Sequence, residues 1–233
     1  MYDGFEQATL SSLWETSRFE RGAVVMENRV VRAGHGAAAI TVHSNDEFEA
    51  GRHGNSDSER AELLEARRFT SHEHVPYEFR FSMFFPLDFP VVPTRLVIAQ
   101  WKQFCGDDRL PCSDDSPVLA LRYIGGELRV TQDLGGQQTV LYREKNEFRG
   151  RWLDFLVRTR FTPASDGHIA VWLDHRQLAE MHGVTANAEN ASTGYKSPGF
   201  FYFKMGLYRD VTNVPMTVYI DEYHKQQLRP DEF

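Results

Sequence analysis

Hydrophobic and polar residues alternate at every second position through much of the chain, which is the period of a half-buried β-strand. The segment from Tyr77 to Phe85 alternates aromatic with polar side chains, and the segments from Trp152 to Phe161 and from Phe200 to Tyr208 repeat the pattern. Long stripes with the 3.6-residue period of an amphipathic helix are lacking. Further strands are predicted at 37–43, 62–66, 95–101, 118–123, 127–133, 139–142, 168–173 and 216–222.

Turn-forming residues separate these segments at nearly regular spacing. Gly125-Gly126 and Gly135-Gly136 predict tight turns, and the run from Pro163 to Gly167 predicts a hairpin. Roughly ten or more short strands with such turns are typical of two antiparallel sheets packed face to face. We therefore predict an all-β fold, a concanavalin-like β-jelly-roll sandwich, with residues 1–233 as a single domain.

Charge and hydropathy restrict the partners. The chain has a formal net charge of −7, so its overall field repels polyanions and we expect no binding to nucleic acid. Any site for an acidic ligand must therefore be a local basic cleft. No stretch approaches the roughly 18 apolar residues that span a bilayer, so we expect no membrane partner. We also expect a monomer.

The two cysteines suggest an oxidising compartment. Cys105 and Cys112 lie in the turn-rich run FCGDDRLPCSDD. We predict a disulfide that closes this loop, with two free thiols as the alternative. No signal peptide is visible at Met1 to Gly4. We expect a secreted or periplasmic protein whose export signal is not part of this sequence.

Three predicted strands carry polar residues two positions apart, so each set shares one face of its strand. The sets are Arg60 and Glu62, Gln100 and Lys102, and the series Tyr202, Lys204, Gly206 and Tyr208. If these strands line one sheet, their side chains form a cationic, hydrogen-bonding groove. This groove would be the local basic cleft that the net charge requires.

The residue types suit the cleavage of uronic acid chains by β-elimination. The C5 proton of a uronate becomes removable when its carboxylate charge is neutralised, and Arg, Lys and Gln supply charge and hydrogen-bond donors for this. A base takes that proton, and an acid protonates the oxygen leaving C4. A Tyr can fill either role. From the residues alone, a solvated sheet face without catalysis is the alternative.

The same segments resemble the β-jelly-roll polysaccharide lyase superfamily, which includes alginate lyases, glucuronan lyases and heparin lyase I. Alginate lyases carry R-x-E-L, Q-I-H or Q-V-H, and Y-F-K-x-G-x-Y strands in this order. The corresponding segments are Arg60-Ala61-Glu62-Leu63, Gln100-Trp101-Lys102 and Tyr202 to Tyr208. The resemblance implies that Tyr208 is the catalytic Tyr and that Arg60 and Gln100 neutralise the substrate carboxylate.

One position departs from the alginate lyase pattern. Lys102 stands where those enzymes hold a catalytic His, which favours a glucuronan-like or heparin-like substrate over alginate. The loop Gly51-Arg52-His53-Gly54 offers His53 as a separate base, with Tyr208 as the alternative. The expected substrate-binding residues are Lys102, Lys204, Glu62, Tyr202 and Arg209.

A structural metal ion is a further expectation, although none is expected to take part in catalysis. Jelly-roll modules often hold a calcium ion between acidic groups of their first and last strands. Glu6 and Asp221 are the candidate ligands, with carbonyl oxygens from the turn at Gly34 to Gly36 completing the shell.

Two rival functions share this fold class. A jelly-roll glycoside hydrolase needs two carboxylates across the scissile bond, often at E-x-D-x-x-E spacing, and the sequence does not contain that spacing. A non-catalytic carbohydrate-binding module would share the fold and the groove without needing Tyr208, Lys204 and Gln100 together. It stays open as the alternative.

Overall fold

The structure, a computed structural model, describes residues 1–44, 46, 58–104, 116–189, 199–229 and 232. Within these residues the chain forms strands and one short 3₁₀ helix, Arg67–Phe69, and no helix there has the length and apolar character to cross a membrane. The strands are β1 (Tyr2–Asp3), β2 (Trp14–Glu15), β3 (Val24–Glu27), β4 (Ala37–Val42), β5 (Ser58–Glu65), β6 (Ser71–His72), β7 (Pro76–Phe84), β8 (Leu96–Gln103), β9 (Leu119–Ile124), β10 (Glu127–Leu134), β11 (Gln137–Lys145), β12 (Trp152–Arg160), β13 (Gly167–Leu173), β14 (Arg176–Gly183), β15 (Phe200–Asp210) and β16 (Met216–Gln227).

The strands form two antiparallel sheets. We call the sheet with the order β14-β13-β12-β7-β16-β4-β3 the back sheet, and β1 pairs with its strand β16. The front sheet has the order β11-β10-β9-β8-β15-β5-β2, and β6 pairs with β15. Neighbours in both sheets are mostly distant in sequence, as expected for a jelly roll. The predicted all-β sandwich of two antiparallel sheets is confirmed.

The core lies between the sheets because alternate residues of each strand point inward. Phe79 and Phe81 of the back sheet meet Phe203 of the front sheet, with ring centroids 5.3 and 5.7 Å apart. All three are at most 1% exposed. Burying one such side chain stabilises the fold by about 1.5–3 kcal/mol, so this contact holds β15 firmly in position. The opposite face of β15 is thereby turned away from the core.

The strand β14 was missed by the sequence prediction. Its residues RQLAEMHG favour a helix as much as a strand. The turn before it consists of Asp174 and His175, both with positive φ (49° and 66°). Two such residues make the hairpin turn whose twist matches antiparallel strands. Because that turn contains no glycine, the sequence lacks the usual signal for a hairpin.

Candidate active site

The three predicted segments are neighbours in the centre of the front sheet. β15 lies between β8 and β5. Across β8, Lys204 is paired with Gln100 and Tyr202 with Lys102. Across β5, Tyr208 is paired with Arg60 and Gly206 with Glu62. Since Phe203, Met205 and Leu207 point into the core, these polar residues all lie on the outer face of the front sheet.

Gly206 allows β15 to approach β5 closely at this point. Its φ is +134°, and a Cβ atom there would lie 2.4 Å from the carbonyl oxygen of Ala61 and 3.0 Å from Cα of Glu62. The pairing of β15 with β8 also shifts between Met205 and Tyr208, which is the mark of a β-bulge. No other residue type fits this backbone without strain, so Gly206 sets the position of Tyr208.

A buried carboxylate organises the floor of the site. Glu62 accepts a hydrogen bond from the side-chain amide of Gln100 and another from Lys204 Nζ, 3.2 Å away. Arg60 Nε lies 3.8 Å from the same carboxylate. Burial by itself raises the pKa of Glu62, but Lys204, Arg60 and Gln100 together bring it below its ordinary value. Glu62 is therefore charged at neutral pH.

Lys204 has an unusual protonation equilibrium. Burial, together with the positive charges of Arg60 and Lys102, lowers the pKa of its ammonium group to about 7, although Glu62 acts against this shift. Lys204 is 3% exposed. It therefore lies beneath the surface, where it carries a proton for only part of the time at neutral pH.

Tyr208 lies among several arginines, two of which the sequence prediction missed. The guanidinium carbons of Arg60 and Arg95 lie over its ring, 4.5 and 4.9 Å from the centroid. Arg95 is held by Asp210, whose Oδ1 lies 2.8 Å from Arg95 Nε. The signal for Arg122 was available, because its alternation with Leu121 and Tyr123 places it on the outer face of β9. It pairs with Val97, the residue that also faces Tyr208.

The site has an outer and an inner layer. Arg60, Lys102, Tyr202 and Tyr208 are partly exposed, so a bound chain can contact them. Gln100, Glu62 and Lys204 form the inner layer and are at most 3% exposed. The site therefore presents cations and a phenol at the surface, and an amide and a lysine lie buried directly beneath them.

Arg209 lies elsewhere, and its expected contact with substrate is wrong. It follows Tyr208 on β15, so its side chain points to the opposite side of the sheet. Its side chain and that of Glu59 are both 0% exposed and 2.7 Å apart. Arg209 also donates to the carbonyl oxygens of Val214 and Thr212. It stabilises the chain after β15 instead of binding a ligand.

Three predicted residues lie outside the described part of the chain. His53, the candidate base, belongs to the segment 47–57. Cys105 and Cys112, the predicted disulfide, belong to the segment 105–115. Their roles stay predictions.

Comparison with known proteins settles the family. The family model described as polysaccharide lyase matches residues 5–224. The chain belongs to this family. Its catalytic class is therefore that of a polysaccharide lyase, and its substrate is a polysaccharide. No curated protein sequence matches it.

Solved structures of lyases share the fold of this polysaccharide lyase. An endo-β-1,4-glucuronan lyase from the fungus Trichoderma reesei is 15% identical with a TM-score of 0.73, over 98% of this chain and 95% of that one. An alginate lyase of polysaccharide lyase family 7 is 14% identical with a TM-score of 0.60, over 90% and 84%. An alginate lyase from Corynebacterium sp. is 15% identical with a TM-score of 0.59, over 90% and 82%. At these identities the similarity shows the fold.

The residues predicted to bind calcium in this polysaccharide lyase do not fit that ion. Both oxygens of Glu6 accept the backbone N–H of His35, at 3.0 and 2.9 Å. Asp221 accepts the backbone N–H groups of Arg32 and Ala33 at 2.8 and 3.2 Å. The backbone N–H groups of Arg32, Ala33 and His35 thus point at the carboxylates. A calcium ion would need carbonyl oxygens in their place, because it binds oxygen ligands. We assign no step to a metal there.

A second groove, of about 850 Å³, lies on the outer face of the back sheet. Its arginines are already paired. Arg32 donates twice to Asp154, at 3.0 and 2.8 Å, and Arg80 and Arg158 both donate to Glu78, at 2.7 and 2.9 Å. The three arginines of this groove face three carboxylates, Asp154, Glu78 and Glu222. Among the described residues, the front-sheet site sets Arg60, Arg95, Lys102 and Lys204 against two, Glu62 and Asp210, so its excess of positive charge makes it the better site for a polyanion.

Proposed function

We propose that this polysaccharide lyase cleaves a uronate-containing acidic polysaccharide by β-elimination on the outer face of the front sheet. The observation that carries the proposal is the position of Tyr208 between Arg60 and Arg95, on the face that also holds Gln100 and Lys204. Although the chain has a net charge of −7, this face is locally basic. A local basic face attracts a polyanion even when the whole protein is acidic.

In the proposed complex, Arg60 and Gln100 bind the uronate carboxylate. Arg60 reaches the surface, with 21% of its side chain exposed, and its planar group suits a carboxylate. Gln100 donates one of its two side-chain N–H groups to Glu62, and in the proposed complex the second donates to the substrate. Neutralising the carboxylate stabilises the negative charge that develops as C5 loses its proton.

Tyr208 carries out proton transfer in this proposal. The C5–H bond breaks, the electron pair forms a double bond between C4 and C5, and the C4–O4 bond breaks. Tyr208 gives its phenolic proton to O4 as it leaves. The C5 proton goes either to His53 or to Tyr208 in its phenolate form, which then passes that proton to O4. The products are a shortened chain and an unsaturated uronate.

Glu62 and Lys204 of the inner layer act by positioning and by charge. Glu62 fixes the amide of Gln100 and the ammonium group of Lys204. Lys204 donates to Glu62 and contributes positive charge beneath the carboxylate that Gln100 binds. Lys102 and Tyr202, cross-strand partners with partial exposure, extend the binding surface along the polysaccharide.

The favoured substrate is a glucuronan-like chain, with heparin-like chains as the next choice and alginate as the least favoured. Lys102 in place of a His supports this order, and so does the TM-score, which is 0.73 with the glucuronan lyase and 0.60 with the family 7 alginate lyase. Secretion or periplasmic location, and action as a monomer, belong to the same proposal.

A panel of polysaccharides tests the proposed β-elimination. The protein is incubated with glucuronan, heparin, hyaluronan, alginate and pectate, and the ultraviolet absorbance of the unsaturated product is followed. We expect the largest rate with glucuronan and little with alginate. Binding without any rise in absorbance would support a non-catalytic carbohydrate-binding module and contradict the proposal.

A further inference from the structure

Two histidines face each other on the hairpin at the edge of the back sheet. His168 on β13 is the cross-strand partner of His182 on β14. Their rings are stacked, with centroids 4.4 Å apart and planes inclined by 14°. Glu180 precedes His182 by two residues and so shares its face. The three side chains form one cluster on the sheet opposite the candidate active site.

The distances within this cluster fit a tetrahedral transition metal. Nε2 of His168 lies 3.2 Å from Oε1 of Glu180, and Nε2 of His182 lies 3.5 Å from the same oxygen. All three ligand atoms lie within 4.8 Å of one another. Zinc bonds of about 2.0–2.1 Å in a tetrahedron place neighbouring ligand atoms roughly 3.3–3.4 Å apart. The two nitrogen–oxygen separations are close to that spacing. The exposed ring of His182 must turn out of its stack with His168 so that both Nε2 lone pairs point at one ion.

The surroundings orient the carboxylate and leave room for an ion. Gln177 donates to the other oxygen of Glu180 at 2.7 Å, an outer contact of the kind that fixes metal ligands. The side chains of His182 and Glu180 are 72% and 48% exposed, so an ion and its waters can enter from solvent. The nearby cation Arg160 donates to the backbone carbonyl of Asp166.

We propose that His168, Glu180 and His182 bind one divalent transition-metal ion of the zinc type, with water as the remaining ligand. Two imidazoles and one carboxylate suit zinc, whereas calcium prefers oxygen ligands alone. Such an ion cross-links the edge strand β14 to β13. It also holds the start of the segment after β14, where Asn187 exchanges two hydrogen bonds with Gln103 of the front sheet, at 2.9 and 2.8 Å.

Zinc binding is measured directly, without reference to lyase activity. Tag-free protein is treated with a chelator and then titrated with Zn²⁺ in a calorimeter, and thermal unfolding is recorded with and without Zn²⁺. We expect one ion per chain and a higher Tm with Zn²⁺, because an ion that binds the folded state stabilises it.

Variants test the location of the site. His182→Ala, at an exposed position that does not endanger the fold, should weaken Zn²⁺ binding at least tenfold and abolish the rise in Tm. Glu180→Gln should weaken binding as well. His35→Ala removes another exposed histidine, distant in sequence from the cluster, and should bind Zn²⁺ like the parent protein. Equal affinity of His182→Ala and the parent would overturn the proposal, as would binding no tighter than about millimolar in the parent.

Discussion

The guanidinium carbon of Arg60 lies 4.5 Å from the ring centre of Tyr208, because the two residues are cross-strand partners on β5 and β15. A slip of the strand register by one residue would send every side chain of β15 to the other face. The register is fixed by the buried rings on the inner face of β15 and by the bulge next to Gly206. The packing of the core thus determines where the phenol lies on the outer face of the front sheet.

Tyr208→Phe removes the proposed proton carrier and keeps the ring. We expect kcat to fall by at least about 10²-fold, since general acid–base catalysis is typically worth 10²–10⁴-fold. The Tm and the affinity for the polysaccharide should change little. As the control, Tyr219→Phe removes a hydroxyl from the back sheet, where its ring packs against Phe84, and should retain kcat. Near-full activity of Tyr208→Phe would refute its assigned role.

Lys102→Ala removes a charge that contacts substrate in the proposal, without removing a proton carrier. We expect a higher KM, a nearly unchanged kcat and a KM that rises less steeply with salt. Steady-state kinetics at several ionic strengths measure this. Lys145→Ala changes the net charge equally, but Lys145 lies on β11 at the far edge of the front sheet. If both variants shifted KM alike, only the overall charge of the protein would matter.

Gly206→Ala tests the close approach of β15 to β5. A Cβ atom there meets the backbone of Ala61 and Glu62 at 2.4 and 3.0 Å, in addition to its unfavourable φ of +134°. Gly22 also has a positive φ, +87°, but a Cβ there meets nothing within 4 Å. Gly22→Ala should therefore cost about 1 kcal/mol of stability, and Gly206→Ala clearly more, with loss of activity. Equal free energies of unfolding for the two variants would show that the contact is not tight.

Period-2 alternation was enough to predict the sandwich and, within each strand, the shared faces of Arg60 with Glu62, Gln100 with Lys102, and Lys204 with Tyr208. It predicts which residues of a strand share a face, but not which strands are neighbours. Arg95 and Arg122 were missed for that reason, because they reach Tyr208 only through the order of β15, β8 and β9. The cluster of His168 and His182 was missed because β14 and its turn at Asp174 were not recognised as a hairpin.

The sequence also did not show how deeply each charged side chain of the site is buried. For Arg209 the signal was present, because strand alternation places it on the opposite face of β15 from Tyr208. Glu62 and Lys204 have the expected face but lie beneath the surface. Whether a charged side chain on the correct face reaches solvent depends on the size of its neighbours across the strands, which periodicity does not describe.

Arg209→Met tests the structural role of the Arg209–Glu59 pair. Removing one partner of a fully buried ion pair leaves the other charge without compensation and typically costs about 3–5 kcal/mol. We expect a large drop in the free energy of unfolding and an unchanged KM below the unfolding temperature. The double variant Arg209→Met with Glu59→Gln should recover part of the loss, because no charge is left behind. A raised KM with unchanged stability would restore Arg209 to the substrate-binding set.

Lys204 should make the stability of the protein depend on pH above neutrality. Its pKa is about 7 in the folded protein, against an ordinary value of 10.5. Between these values the unfolded chain holds a proton that the folded chain lacks, so stability rises with pH from about 7 towards 10.5. Below about pH 7 both states are protonated, and the penalty of burying the charge is present in full.

The double variant Lys204→Met with Glu62→Gln isolates this contribution. Lys225, whose pKa burial also lowers, is common to both proteins, so its contribution cancels. Glu62, with its lowered pKa, does not titrate above neutrality. Denaturant unfolding at pH 7, 8, 9 and 10 gives the difference in free energy of unfolding between parent and variant. We expect this difference to shift in favour of the parent at each step, whereas parallel curves would mean that Lys204 keeps its proton throughout and that its burial does not lower its pKa.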